Sequence, residues 1–151
     1  MFDKLRSLLS TDEAGQRATT PQTLQRALAF LLVETGYADG VFDADERARA
    51  RSLLAGRFGL DDAVAEALID EGVAMHQEAV DWYGSSRALK DGFDYDERIE
   101  VIEMLWEVAY VDGVLDHLEA NLMRRVAGLL YVDDVDSGAA RKRVLAKLGR
   151  E

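Results

Sequence analysis

Eight carboxylates stand at matched places in two copies of one phrase. Residues 32–46 read LVETGYADGVFDADE and residues 105–119 read LWEVAYVDGVLDHLE, aligning without a gap at an offset of 73. Glu34, Asp39, Asp43 and Glu46 of the first copy correspond to Glu107, Asp112, Asp116 and Glu119 of the second. Clustered carboxylates suit one chemistry above others, because a hard divalent cation takes several oxygen ligands. Part of the pattern has a simpler use. Asp43/Glu46 and Asp116/Glu119 have the spacing of a capping box, in which each acid satisfies a backbone N–H at a helix start. Asp39 and Asp112 are different. Each falls at the end of an apolar helix, where the macrodipole favours cations. Two such departures at equivalent places point to a site. If the two copies pack about a pseudo-two-fold axis, their Asp-Gly turns bring the acids to one end of the domain.

The ion expected there is Ca²⁺ or Mg²⁺, since every candidate ligand is an oxygen. DGVFDADE is not an EF-hand, lacking the spaced ligands and central glycine of that loop. The chain has no cysteine and two histidines, which disfavours zinc. His76 falls mid-helix and His117 beside the second turn, and both read as surface or packing residues. No nucleophile–base pairing, glycine-rich phosphate loop or HExxH helix is present, so the expectation is a non-enzymatic protein. Paired acids could do acid–base work, but nothing else describes a substrate pocket.

The elements that must position these acids are helices. Apolar residues recur at helical spacing almost throughout, and the class is all-α. Thr20-Pro21 starts a helix over about 21–38 that is apolar nearly all round, as a central helix is. Its single charge between Arg26 and Asp39 is Glu34, which needs a partner because an isolated buried carboxylate is costly. Asp39-Gly40 ends that helix, glycine supplying the left-handed conformation. Further helices are expected over about 44–58, 62–79, 80–93, 95–111, 117–131 and 138–148. The first of these starts at the Asp43 box. Val64, Leu68, Gly72 and Met75 form the expected core face of 62–79, with Glu66, Asp70 and Glu71 toward solvent. The stretch 80–93 is read as broken near Gly84 and stopped at Gly92. Asp94 and Glu97 form another capping box, and residues 133–136 an acidic loop. The last helix carries Arg141, Lys142, Arg143 and Lys147 on a face expected to be solvated. Residues 1–20 read as a short amphipathic helix (Phe2, Leu5, Leu8, Leu9) and a polar linker, and 21–151 as the helical domain.

The chain has 151 residues and a formal charge of −11, with a pI near 4.6. That balance opposes nucleic-acid binding, which needs a basic face. No stretch reads as a transmembrane segment, the first residues are too mixed and short for a signal sequence, and the expected location is the cytoplasm.

The phrase D-G-x-x-D-x-x-E after an apolar helix, present as GYADGVFDADE and AYVDGVLDHLE, resembles the TerB tellurite-resistance family over about residues 22–132. The intervening EAVDWYGSSRALKDGFDYDERIEVIEMLW is similar to the branch found as stand-alone bacterial proteins. Three residues before the first Asp stands Gly36 in one copy and Ala109 in the other. The resemblance implies a compact bundle of about seven helices and a cytoplasmic bacterial protein with a metal-binding acidic face. It further implies a link to tellurite or envelope stress through membrane-associated Ter partners. On matching positions it marks Asp39, Asp43, Glu46, Asp112, Asp116 and Glu119 as candidate ligands. Glu34 and Glu107 join them from the repeat alone. The alternative is a helical protein–protein interaction scaffold in which the acids are caps and solubilisers.

Overall fold

The computed structural model describes residues 20–111 and 117–149, and these form seven α-helices with no strand among them. In chain order they are α1 (Pro21–Gly36), α2 (Ala44–Phe58), α3 (Asp62–Gln77), α4 (Tyr83–Gly92), α5 (Tyr95–Ala109), α6 (His117–Leu129) and α7 (Asp134–Lys147). The N-terminal segment of residues 1–19 lies outside the described residues, and with it the expected amphipathic helix. The turn 112–116 lies outside them too, and the pseudo-two-fold relation of the repeats turns on it. No helix of the described residues is long and apolar enough to cross a membrane.

Helix α1 is the axis of the bundle. The Thr20 side chain accepts the Thr23 N–H at 3.1 Å and Pro21 takes the first helical position, where a missing N–H costs nothing. Every residue from Ala27 to Val33 is buried, so α1 is covered on all sides, by α2, α3, α4 and α5. Full burial of each Leu, Phe or Val there contributes about 1.5–3 kcal/mol. Thr35 is buried as well, and its hydroxyl donates to the Leu31 carbonyl at 2.8 Å. The α-helix ends at Gly36, and a 3-10 turn over Tyr37–Asp39 carries the chain to Gly40 at φ 101°. The tightening over Tyr37–Asp39 replaces the last turn that the apolar pattern places in the helix.

Helix α3 makes the broadest contact with α1, and α7 makes the broadest contact with α5. The first contact depends on Gly72, where an added Cβ would lie 3.0 Å from Val33 Cγ2 and 3.3 Å from the Ala29 carbonyl. That close approach fixes the buried face of α3 as Ala65, Leu68, Ile69 and Gly72, and turns Val64 outward at 44% exposure. Val64 is therefore not a core residue.

Two boundaries differ from their sequence expectation. Helix α4 runs unbroken from Tyr83, with Gly84 inside its first turn. Helix α7 starts at Asp134, so the acids expected in a loop occupy its first turn, Asp134 and Asp136. The macrodipole favours negative charge there. Asp136 also accepts the Tyr95 hydroxyl proton, which raises the Tyr95 pKa, while the Asp133 backbone N–H donated to the same oxygen opposes that rise.

Candidate functional site

Glu34 has the partner its position demands. Its side chain is 12% exposed, and its two oxygens accept from two different elements. His76 Nδ1, at the end of α3, lies 2.5 Å from Oε2, and Trp82 Nε1 donates to Oε1 at 2.7 Å. The Tyr37 ring stacks on the His76 ring at 3.8 Å and 5°. Arg125 of α6 lies over Trp82, its guanidinium carbon 4.7 Å from the ring centroid. These groups line a cleft of about 250 Å³ together with Ala38, Asn121 and Leu122. His76 is thus neither a bare surface residue nor a packing residue alone. It is the counterpart of Glu34, found 42 residues away.

Glu107, the matching acid of the second copy, is 5% exposed and held differently. Arg49 Nη1 of α2 donates to Oε1 at 2.9 Å, and Lys147 Nζ of α7 donates to Oε2 at 2.8 Å. One carboxylate on α5 so ties three helices together. Two more basic residues of α7 have partners: Arg143 Nε donates to Glu103 at 2.6 Å and Arg141 Nε to the Tyr110 hydroxyl at 2.7 Å. The basic face is exposed, as expected of a solvated one, while Arg143 and Lys147 reach across to the acids of α5.

Asp43 and Glu46 form a complete capping box. Asp43 Oδ1 accepts the Glu46 N–H at 2.8 Å, and Glu46 Oε1 accepts the Asp43 N–H at 2.9 Å. Glu46 is 2% exposed, whereas Asp43 stands at the surface. The Asp94/Glu97 box closes in the same way at the start of α5. The 3-10 turn that ends in Asp39 packs against α6, the helix that follows the second Asp-Gly pair. Asp112 and Asp116 lie outside the described residues, as do the side chains of Asp39, Glu119 and His117. Among the described residues, no group of three or more His, Asp or Glu is arranged to hold a metal ion. The donors at the first turn are all oxygens, which fits a hard cation and not zinc.

A third set of charges joins α2 to α3. Arg47 bonds Glu66 and Asp70, and Arg51 Nη1 donates to Glu66 at 3.2 Å. Glu66 and Asp70 therefore pair across helices, and Glu71 lies 3.4 Å from Arg26. The Arg47 hydrogen bond lowers the Glu66 pKa against a smaller opposing effect of burial, with Arg51 adding to the fall. For Arg47 burial works against the charge, but hydrogen bonds to Asp70 and Glu66 outweigh it and raise the pKa.

Sequence reasoning reached Glu34 but not the residues around it. Tyr37, Trp82 and the Asn121/Arg125 pair of α6 sit on three separate stretches of chain, and no spacing rule connects one stretch to another. The one usable signal was the demand for a partner that a lone acid in an apolar helix makes.

A family model described as tellurite resistance protein TerB matches residues 25–142, from the first half of α1 into α7. No curated protein and no solved structure matches the chain.

Proposed function

We propose, from the premise that this chain belongs to the TerB family, that it is a non-enzymatic module whose Asp-Gly turns hold a divalent cation. The ion is Ca²⁺ or Mg²⁺, by the chemistry of the donors. One observation carries the reading: the 3-10 turn ending in Asp39 packs on α6, whose chain follows directly from the second Asp-Gly pair. That contact supports a shared acidic end. The ligands proposed are Asp39, Asp43, Asp112, Asp116 and Glu119, with Glu46 holding Asp43 in place through the capping box. Glu34 and Glu107 already serve other donors at both oxygens. They shape the domain around the site.

The non-enzymatic reading is supported by the cleft at Glu34. His76 is oriented by a carboxylate there, as a general base is, yet among the described residues no serine, threonine or cysteine lines the cleft. The bound ion would order a surface for a protein partner, in a tellurite or envelope-stress response exercised from the cytoplasm with membrane-associated Ter-type proteins. A second reading has its own observation. The Asp43/Glu46 box uses one oxygen of each acid on a backbone N–H at the start of α2, which favours a scaffold whose acids are caps.

Calorimetric titration with Ca²⁺, Mg²⁺ and Mn²⁺, paired with partner capture by wild type and Asp39→Asn/Asp112→Asn, separates the two. Saturable heat that the double variant loses, together with its partner, supports the cation module. Partner loss without any metal heat in wild type supports the scaffold.

A further inference from the structure

Most arginines of the described residues sit against a carboxylate, as expected in a chain of charge −11. Arg125 does not. Its guanidinium lies over the Trp82 ring, with no carboxylate partner among the described residues. A stacked guanidinium keeps its planar fork of N–H donors oriented and ready for an oxyanion. The platform beneath it is itself fixed, because Glu34 holds the Trp82 indole N–H at 2.7 Å. The same carboxylate fixes His76, on which Tyr37 stacks. Glu34 thus builds both aromatic walls of the cleft, and α6 supplies Arg125 and the Asn121 amide to its lining.

We propose that this cleft is a binding site for a compact organic carboxylate, with Arg125 and Asn121 taking the anionic head and the Tyr37/His76/Trp82 wall taking the apolar body. Size and charge select this class. At about 250 Å³ the cavity falls below the roughly 300–1,000 Å³ of drug-sized ligand pockets, which suits a body of about one ring. Arg125 brings one fixed positive charge, and Glu34, the single acid of the lining among the described residues, is committed to His76 and Trp82. A monoanion matches that balance better than a phosphate dianion. The site uses none of the acids assigned to the cation, and it stands whether or not an ion binds at the Asp-Gly turns.

The test is an NMR titration of the ¹⁵N-labelled full chain with benzoate at constant ionic strength, reading the Trp82 indole N–H. Trp82→Phe distinguishes that resonance from the one of Trp106. The expected result is a saturable shift of the indole and of the Asn121 and Arg125 backbone amides. Arg125→Gln should weaken binding by about tenfold or more, as loss of a charged hydrogen-bond donor does. Arg125→Lys, which keeps the charge without the planar fork, should recover part of that loss. Lys142→Gln, an exposed cation on α7 outside the lining, should change nothing. Because Arg125 is exposed and its stack on Trp82 contributes only about 0.5–1 kcal/mol, its variants should stay folded and melt within a few degrees of the parent. An unsaturated linear shift, equal affinity in Arg125→Gln, or equal saturation by neutral benzamide would overturn the site. Inorganic phosphate saturating the same resonances more tightly than benzoate would overturn the choice of carboxylate.

Discussion

At the scale of single residues, equivalent places in the two copies carry the same side chain with unlike partners. Glu34 accepts from an imidazole and an indole, whereas Glu107 accepts from an arginine and a lysine. What they share is burial, and burial sets their worth. We predict that Glu107→Gln lowers stability by about 1–3 kcal/mol at neutral pH, since charged hydrogen bonds of a buried group are lost. Glu103→Gln, which breaks a more exposed pair with Arg143, should cost less than about 1 kcal/mol. Urea unfolding of both variants reads the difference, and equal losses would contradict the role given to burial. Glu66 supplies a pH signature. Its pKa is held below the ordinary 4.5 by Arg47, so its contribution is complete above that value and is lost as pH falls through the folded-state pKa. The stability gap between wild type and Glu66→Gln should therefore be flat near neutrality and shrink below about pH 4.5. A gap that widens on acidification would contradict this sign.

At the scale of elements, helix ends were more legible in the sequence than helix faces. Asp43, Glu46 and Gly59 mark both ends of α2, because caps act within a few residues and so leave their signature locally. The face of α3 was not legible. Val64 and Ala65 both satisfy a helical stripe with Leu68 and Gly72, and only contact with Ala29 and Val33 of α1 selects Ala65. The partners of Glu34 and Glu107 were hidden for the same reason, lying 40 to 58 residues away. The difference between Gly36 and Ala109 in the two copies gains a physical reason here. A Cβ at Gly36 would lie 2.2 Å from Cδ1 of Phe42, and the residue matching Phe42 in the second copy is the smaller Leu115. We predict that Gly36→Ala forces the Phe42 ring aside and destabilises by about 1–3 kcal/mol, as overpacking does. Gly36→Ala combined with Phe42→Leu should recover most of that loss. Thermal melts of the single and double variants test the coupling, and additive losses would refute it.

At the scale of the whole molecule, the repeated acids divide into two groups. Glu34, Glu107 and Glu46 are buried or nearly so and bind the helices or their ends together. The acids of the Asp-Gly turns are the ones proposed for the cation. A ligand that binds only the folded state raises stability with its concentration, by about 2.7 kcal/mol at one hundred times its dissociation constant. The central claim is tested most directly by thermal melts of wild type and Asp39→Asn/Asp112→Asn in chelator and in millimolar Ca²⁺, Mg²⁺ or Mn²⁺. The account predicts a melting temperature that climbs with Ca²⁺ or Mg²⁺ in wild type and stays fixed in the double variant. A wild-type melt unchanged by all three ions would contradict it.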